Sequence, residues 1–387
     1  MATIRSGMRH TANINQDRRA VDMAKKIALL EPNKSPLVTL TKKLATKGTV
    51  NPIFHWTEDE LQPKWSKLTN AEADTDETDL VVDDITYFRV GFIIKNPRTG
   101  EIMRITDIDS ANDTITVYRG FGTSDPAAIE ADDPVVIIGS AEKEGGLSTD
   151  PLSVVTSTVF NYAQIFKTSV QISKTQEASE LYDGSDRSYQ RMKKGIEHAI
   201  DMERAALFGE KNEDTSGNSP VRSTGGVLSF IDANAVKHDA NDSLTEDDFE
   251  KEFLEDLFRY GSSKKTLFAS SRLVSIINSW GRDKLQMVTG EETFGLKIYR
   301  YMSAHGELNI VKHHLLEGAV YGKMGVALDL ETGDVKWRPL NGRDTKLNTN
   351  IQPNDADYYL DEYITEGGFQ IKLPKVHGII ENADFPE

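Results

Sequence analysis

No cysteine occurs among the 387 residues. Disulfides, thiolate nucleophiles and cysteine-ligated metals are thereby excluded, and the absence fits synthesis in a reducing cytosol. No stretch approaches the roughly 20 apolar residues of a membrane span, so no membrane partner is expected. The opening MATIRSGMRH lacks the apolar core of a secretory signal. Positive charge is in deficit, 45 Lys and Arg against 61 Asp and Glu for a net −16, which disfavours a sequence-specific DNA reader. With 38% hydrophobic and 27% charged residues and a mean hydropathy of −0.46, the chain is neither a fibre nor wholly disordered. At about 150 residues per domain its length implies two or three domains with sizeable cores.

Charge is unevenly spread. Residues 1–48 hold ten Lys and Arg against three acids, whereas residues 57–84 hold ten acids against Lys64 and Lys67. Each segment alone reads as a solvated face; together they are able to pair within a chain or between copies.

Periodicity divides the chain further. Gln16 to Leu30 has a helical stripe that Pro32 stops, and a second short helix begins at Ser35 with Pro36 at its first position. Residues 49–66 read as an extended segment, and the acidic stretch after it as loop. Between 85 and 141, four or five short strands joined by tight turns predict a compact barrel or sandwich. Residues 153–176, rich in β-branched and aromatic residues, predict one long strand whose natural partner is 49–66. The strongest helix runs over 186–208, capped by Ser185 and ended by Gly209. Thr245 and Asp248 have capping-box spacing before a helix with the stripe Phe249, Phe253, Leu257. A strand at Thr266–Ala269, a helix near 272–280, strands over 296–335 and two strand-like segments at the end complete the pattern.

Motifs for chemistry fail on inspection. GAVYGKMG at 318–325 offers Gly322-Lys323 but Met324 where a phosphate loop needs a hydroxyl, so close strand packing explains the glycines better. Asp107 and Asp109 begin a calcium-loop spacing that lacks its glycine and its final glutamate, and read as a hairpin turn. His313 and His314 are neighbours, and in a strand their rings would point to opposite faces, unable to share an ion. Ser140/Lys143 and Ser262/Lys265 match Ser-x-x-Lys without companion motifs. Tyr299, Tyr301, Tyr358 and Tyr359 fit core or interface packing better than a ligand stack. No catalytic, cofactor-binding or metal residue is assigned, and no cofactor is expected.

A basic arm, a long β ribbon, a tip module and a bracing helix suit a subunit whose projections are stabilised by other copies. The carrying stretches are FHWTEDEL at 54–61, KNPRTGEIMRITDIDSANDTITVYRGFGT at 95–123, SAEKEGG at 140–146, VFNYAQIFKTSVQISKTQ at 159–176 and SDRSYQRMKKGIEHAIDMERAALFG at 185–209. In that order the chain resembles the major capsid proteins of tailed bacteriophages with the Hong Kong 97-type shell fold, in the branch whose extended loop bears an inserted β module.

The resemblance implies an α+β fold with an N-terminal arm at 1–48 and an extended loop at 49–184. Within that loop, strands at 49–66 and 150–176 would flank an inserted β-barrel at 80–145. A peripheral domain at 185–221 would hold the spine helix 185–209, followed by an axial domain at 222–345 and peripheral return strands at 346–387. It implies a non-enzymatic subunit forming hexamers and pentamers of an icosahedral head around double-stranded DNA, assembled in the bacterial cytoplasm and located in the virion. Portal and scaffold proteins are implied partners, with a decoration protein as a further candidate and packaged DNA contacted non-specifically. Either a separate scaffold or prior trimming is implied. The rivals are a tail or decoration subunit and a carbohydrate-active or peptidase fold with an accessory β module.

Overall fold

The computed structural model describes residues 35–43, 48–71, 74–146, 148–149, 151–180, 184–231, 235–284, 298–332 and 334–386. The expected helix over 16–30 lies outside the described residues. Two compact units are present: residues 57–159, and the body formed by 1–56 with 160–387.

Helix α1 (Pro36–Lys43) begins at the proline expected for its first turn. Strand β1 (Ile53–Glu58) then leads into the insert, which contains β2 (Trp65–Lys67), β3 (Asp79–Val81), β4 (Phe92–Lys95), β5 (Ile102–Asp109), β6 (Thr114–Tyr118) and β7 (Pro134–Ser140). These six form an antiparallel sheet in the order β2-β7-β4-β5-β6-β3. Its two end strands meet at a Leu68–Val82 bridge, with Thr69 N donating to Val81 O and Asp83 N to Lys67 O, both at 3.0 Å. Register shifts at Ile93/Ile94 and Ile105/Asp107 add the local bends that a strongly curved sheet needs.

The acidic run is therefore not simply loop. Leu68, Leu80 and Val82 are buried beside Ile94, Met103, Ile105, Ile115 and Val135, while the acids around them face solvent. Three well-spaced apolar residues suffice to seat two short strands, and the alternation of a strand turns their charged neighbours outward.

The chain returns through β8 (Ser157–Tyr162), which pairs with β1, and continues as β9 (Gln164–Ser173), which pairs instead with a distant strand near the end of the chain. The single long strand expected over 153–176 is thus two, with different partners. The break falls at Ala163, a buried residue whose N–H is taken by Pro52 O at 2.7 Å.

Helix α2 (Lys174–Ala178) is followed by α3 (Asp186–Phe208), the helix read from the sequence with both its ends. Ser185 Oγ accepts from Ser188 N, and Gly209 closes the last turn. Gly195, a liability in mid-helix, packs closely here: a Cβ would lie 3.1 Å from the Tyr363 hydroxyl, so that ring would have to shift.

The remaining elements are the hairpin β10 (Asn212–Asp214) and β11 (Val221–Ser223), α4 (Val227–Ile231), β12 (Val236–Asp239), and a helix made of α5 (Glu246–Asp248), a π-helical turn Phe249–Leu254 and α6 (Glu255–Leu257). The expected Thr245–Asp248 capping box is present. After them come β13 (Lys264–Ala269), α7 (Ser271–Lys284), β14 (Ile298–Met302), β15 (Glu307–Lys312), α8 (Gly318–Tyr321), β16 (Gly325–Leu328), β17 (Val335–Pro339), β18 (Lys346–Asn348), β19 (Tyr358–Ile371) and β20 (Gly378–Glu381).

Two sheets organise the body. One is six-stranded and mixed, in the order β12-β20-β16-β13-β15-β14; in the other, β19 is flanked by β17 and β18 on one side and β9 on the other. Sheet membership does not change at 345: β17 already belongs with β19, and β20 crosses back into the six-stranded sheet. One core joins both sheets to α1 and α3 through Leu37, Met202, Ala206, Phe268, Val326, Trp337 and Phe369. A second, centred on Phe249, Phe253, Leu257, Ile276 and Ile310, fills the space beneath α7.

Candidate assembly anchors

Three clusters of buried polar groups tie distant parts of the chain together. Glu203 projects from α3 into the first core with no solvent exposure. Its Oε1 accepts from Leu37 N and its Oε2 from Val38 N, at 2.7 and 2.8 Å, so the carboxylate caps the amino end of α1. An anion there meets the orphan N–H groups and the positive end of the helix dipole. The third bond comes from His313 Nε2, 2.7 Å from Oε1. His313 Nδ1 accepts from Leu315 N at 3.2 Å, so the ring proton sits on Nε2 and is donated to the carboxylate. Three donors offset the desolvation that an isolated buried carboxylate would suffer.

His313 and His314 do not alternate as strand residues. Strand β15 ends at Lys312, the backbone turns, and the two rings stack at 5.6 Å with planes 5° apart. Burial, then the neighbouring His313, holds the His314 ring below its ordinary value. Among the described residues no group of three or more His, Asp or Glu is placed to hold a metal.

A second anchor ties α3 to the long strand β19. Asp361, 1% exposed, accepts from Arg187 Nε and Nη2 at 2.9 and 2.7 Å, from Arg191 Nε at 2.8 Å and from Asn350 N at 2.9 Å. Burial pushes this carboxyl up, but the bonds from Arg187, Arg191 and Asn350 outweigh it and hold it far below the usual range. One turn apart on α3, the two arginines reach one acid together. His198 completes the tie: its nitrogens lie 2.9 Å from Thr168 Oγ1 on β9 and 2.7 Å from Thr365 Oγ1 on β19. Burial, then Lys42, lowers its pKa and keeps it neutral between two hydroxyls.

The third anchor is Asn161, at the root of the β1–β8 ribbon. Its Nδ2 donates to Thr224 Oγ1 (3.0 Å), Gly225 O (3.0 Å) and Phe369 O (2.6 Å), and its Oδ1 accepts from Gly225 N and Tyr162 N, both at 2.8 Å. Gly368 allows the approach, since a Cβ there would stand 2.4 Å from Tyr162 O. Aromatic contacts frame the same root: Trp56 lies 5.6 Å from Phe230, Lys211 sits 4.1 Å over Phe160, and Arg338 5.6 Å over Phe54.

The insert has its own buried ion pair. Arg119 Nε and Nη2 bond Glu101 Oε1 and Oε2 at 2.7 and 2.8 Å in bidentate geometry. Nearby, Asp133 takes Arg98 Nε at 2.6 Å and Asn96 Nδ2 at 2.9 Å, and its carboxyl falls to about 2 chiefly through Arg98.

Several of the residues set aside above have structural partners. Gly325 lies in β16, where a Cβ would stand 2.4 Å from Leu273, and Lys323 bonds Asp242 at 2.5 Å. Asp109 accepts from Ala111 N in a hairpin turn. Lys265 donates to the carbonyls of Leu257, Tyr260 and Val376, and Ser262 Oγ donates to Lys264 O, so no serine–lysine dyad forms. Tyr301 is buried against Phe249 and bonds Glu250. Glu203, Asn161 and Asp361 carried no signal of their own in the sequence.

Comparison with known proteins gives the following. The model of the SU10 major capsid protein family matches residues 6–384. The major capsid protein of Pseudomonas phage PaMx41 is 25% identical over 331 residues, covering 82% of this chain and 78% of that protein. Among solved structures, the capsid of Myoviridae phage XM1 aligns over 93% of this chain and 96% of its own, at 10% identity and a TM-score of 0.46. The capsid of a native GTA particle aligns over 97% and 98%, at 7% identity and a TM-score of 0.48.

Proposed function

The chain belongs to the SU10 major capsid protein family, and on that premise we propose that its copies form hexamers and pentamers closing into an icosahedral phage head around double-stranded DNA. It is a phage major capsid protein with an α+β fold, and in this reading that fold is the Hong Kong 97-type shell architecture. Its role is structural, not catalytic. Family membership favours a head shell over a tail or decoration subunit, and over a carbohydrate-active or peptidase enzyme.

The observation that carries self-assembly is the contrast between buried polar anchors and large apolar side chains left exposed. Glu203 and Asn161 fix the bases of α1 and of the ribbon with buried polar bonds. Beyond the ribbon, Leu61 is 95% and Val155 88% exposed. Large apolar side chains left in water beside an extended backbone gain by burial against another subunit. In this reading residues 1–48 are the arm, 49–66 and 150–176 the extended loop, 80–145 its inserted barrel, 185–221 and 346–387 the peripheral domain and 222–345 the axial domain, with β17 and β20 exchanged across the 345 boundary, since β17 pairs with β19 and β20 with β16 and β12. The Leu68–Val82 bridge, which joins the end strands of the insert, supports the barrel.

Opposite charge on the arm and on the acidic segment sets register between subunits. Many modest contacts made at once give the shell its strength. A net charge of −16 keeps packaged DNA weakly and non-specifically held. Portal and scaffold proteins complete assembly in the bacterial cytoplasm, a decoration protein is a further partner, and the product resides in the virion. Electron microscopy of purified protein, with scaffold supplied, tests this: closed shells or capsomer rings are expected, and a strictly monomeric species under all assembly conditions overturns it.

A further inference from the structure

Among the described residues, strand β9 is hydrogen-bonded along one edge only. Lys174 N donates to Asp357 O at 3.3 Å, which fixes the alternation of the β9–β19 ladder. Phe166, Thr168, Val170 and Ile172 turn their peptide groups toward β19, and Ile165, Lys167, Ser169 and Gln171 turn theirs away. On the far side of β19, Leu360 O accepts from Ile351 N, as that alternation requires. Among the described residues nothing bonds the four outward peptide units.

Sheets ordinarily blunt such an edge with proline, several charges or a bulge. Here Lys167 is the one charged residue of the strand and no proline occurs in it. Beside the edge runs an open groove of about 410 Å³, lined by Ser169, Gln171, Gln176, Asp186, Gln190 and Lys194. One acid and one base leave the groove without net charge.

The same chain carries a segment of matching chemistry. Residues 151–156, PLSVVT, bear no charge, lie outside any strand and expose Val154 and Val155; pairing begins only at Ser157. Exposed β-branched residues with no strand partner are what an edge accommodates. Residues 1–34 suit the groove less well, since they carry seven Lys and Arg against three acids.

We infer that residues 151–156 of a second copy add to the free edge of β9 as an extra strand, main-chain bonds supplying affinity and the neutral groove excluding the basic arm. The inference rests on the self-assembly proposed above and names one surface through which it occurs.

The absence of native cysteine makes the test direct. In the full chain, Ser169→Cys and Gln171→Cys are each combined with Val154→Cys or Val155→Cys, and separately with Arg18→Cys. Facing residues of adjacent strands lie within disulfide reach. After assembly and mild oxidation, covalent ladders are expected with the first partners. No link between copies from any of those pairs, or links with Arg18→Cys alone, overturns the inference. Amide exchange gives a second readout: the N–H groups of residues 165, 167, 169 and 171 should be protected in shells and exchange freely in isolated subunits. Equal exchange in both overturns it as well. Ser169→Pro removes one outward N–H while sparing the bonds to β19, so loss of shells by a folded subunit is expected. Normal shells from that variant count against the extra strand while leaving the self-assembly reading intact. Failure of the unmodified chain to form any shell defeats both.

Discussion

Glu203 and His313 lie 2.7 Å apart with neither side chain exposed, joining α3 to the turn after β15 at the point where α1 begins. Since the same carboxylate caps α1, that helix depends on a residue 166 positions away in sequence. Glu203→Gln keeps the size but turns an acceptor into a donor facing N–H groups. A loss of about 1–3 kcal/mol is expected, read as a lower Tm and faster proteolysis within residues 35–43. An unchanged cleavage pattern would show that α1 is held by its apolar contacts alone.

Asn161 shares its two N–H groups among three acceptors and accepts from two donors around the ribbon root. Asn161→Ala leaves Gly225 N–H and Phe369 C=O buried without this partner and should cost about 2–4 kcal/mol in chemical denaturation. Asn161→Asp should be worse at neutral pH than at acidic pH, because a carboxylate would face two carbonyl oxygens. A charge-independent effect would contradict this geometry.

Acid should weaken the body in two stages. Burial, then Lys265, lowers His377 to about 4 from an ordinary 6.5. Between those values the unfolded chain binds a proton that the folded chain refuses, so this contribution is complete above the window and lost as pH falls through it. His377→Gln should flatten the fall in denaturation midpoint between pH 7 and pH 5. Asp361 acts at lower pH: its depressed carboxyl stabilises above the ordinary carboxylate range, near pH 4, and the effect disappears on further acidification. Asp361→Asn should remove that second stage, and identical acid profiles for variant and parent would refute the assignment.

In the insert, Arg119→Met leaves Glu101 buried with an unmatched charge and should cost about 3–5 kcal/mol. Adding Glu101→Leu to it should recover much of the loss. Calorimetry of the full chain tests both; a double variant as unstable as the single would mean that the Gly120 and Ala127 N–H groups, which also bond Glu101, outweigh the charge balance.

Local signals were legible in the sequence. Ser185 and Gly209 bounded α3 residue for residue, and Thr245 with Asp248 placed a helix start, because capping involves neighbours in the chain. Long-range pairings were not. Asp361 meets Arg187 across 174 positions, and β9 finds β19 rather than a continuation of the ribbon. The strands β2 and β3 were hidden by charge, since acids dominate the count while Leu68, Leu80 and Val82 decide the burial. His313 and His314 misled for a related reason: the alternation assumed for a strand ends one residue before them. The arm helix expected over 16–30 lies outside the described residues.

The chain passes into and out of residues 57–159 through two hydrogen-bonded neighbours, β1 and β8. Two severed ends at that junction would stand one strand spacing apart, about 4.8 Å. Any compact domain with similarly close termini therefore meets the geometric condition for substitution there without rethreading the body. The position is a natural socket for genetically joining a foreign domain to this subunit.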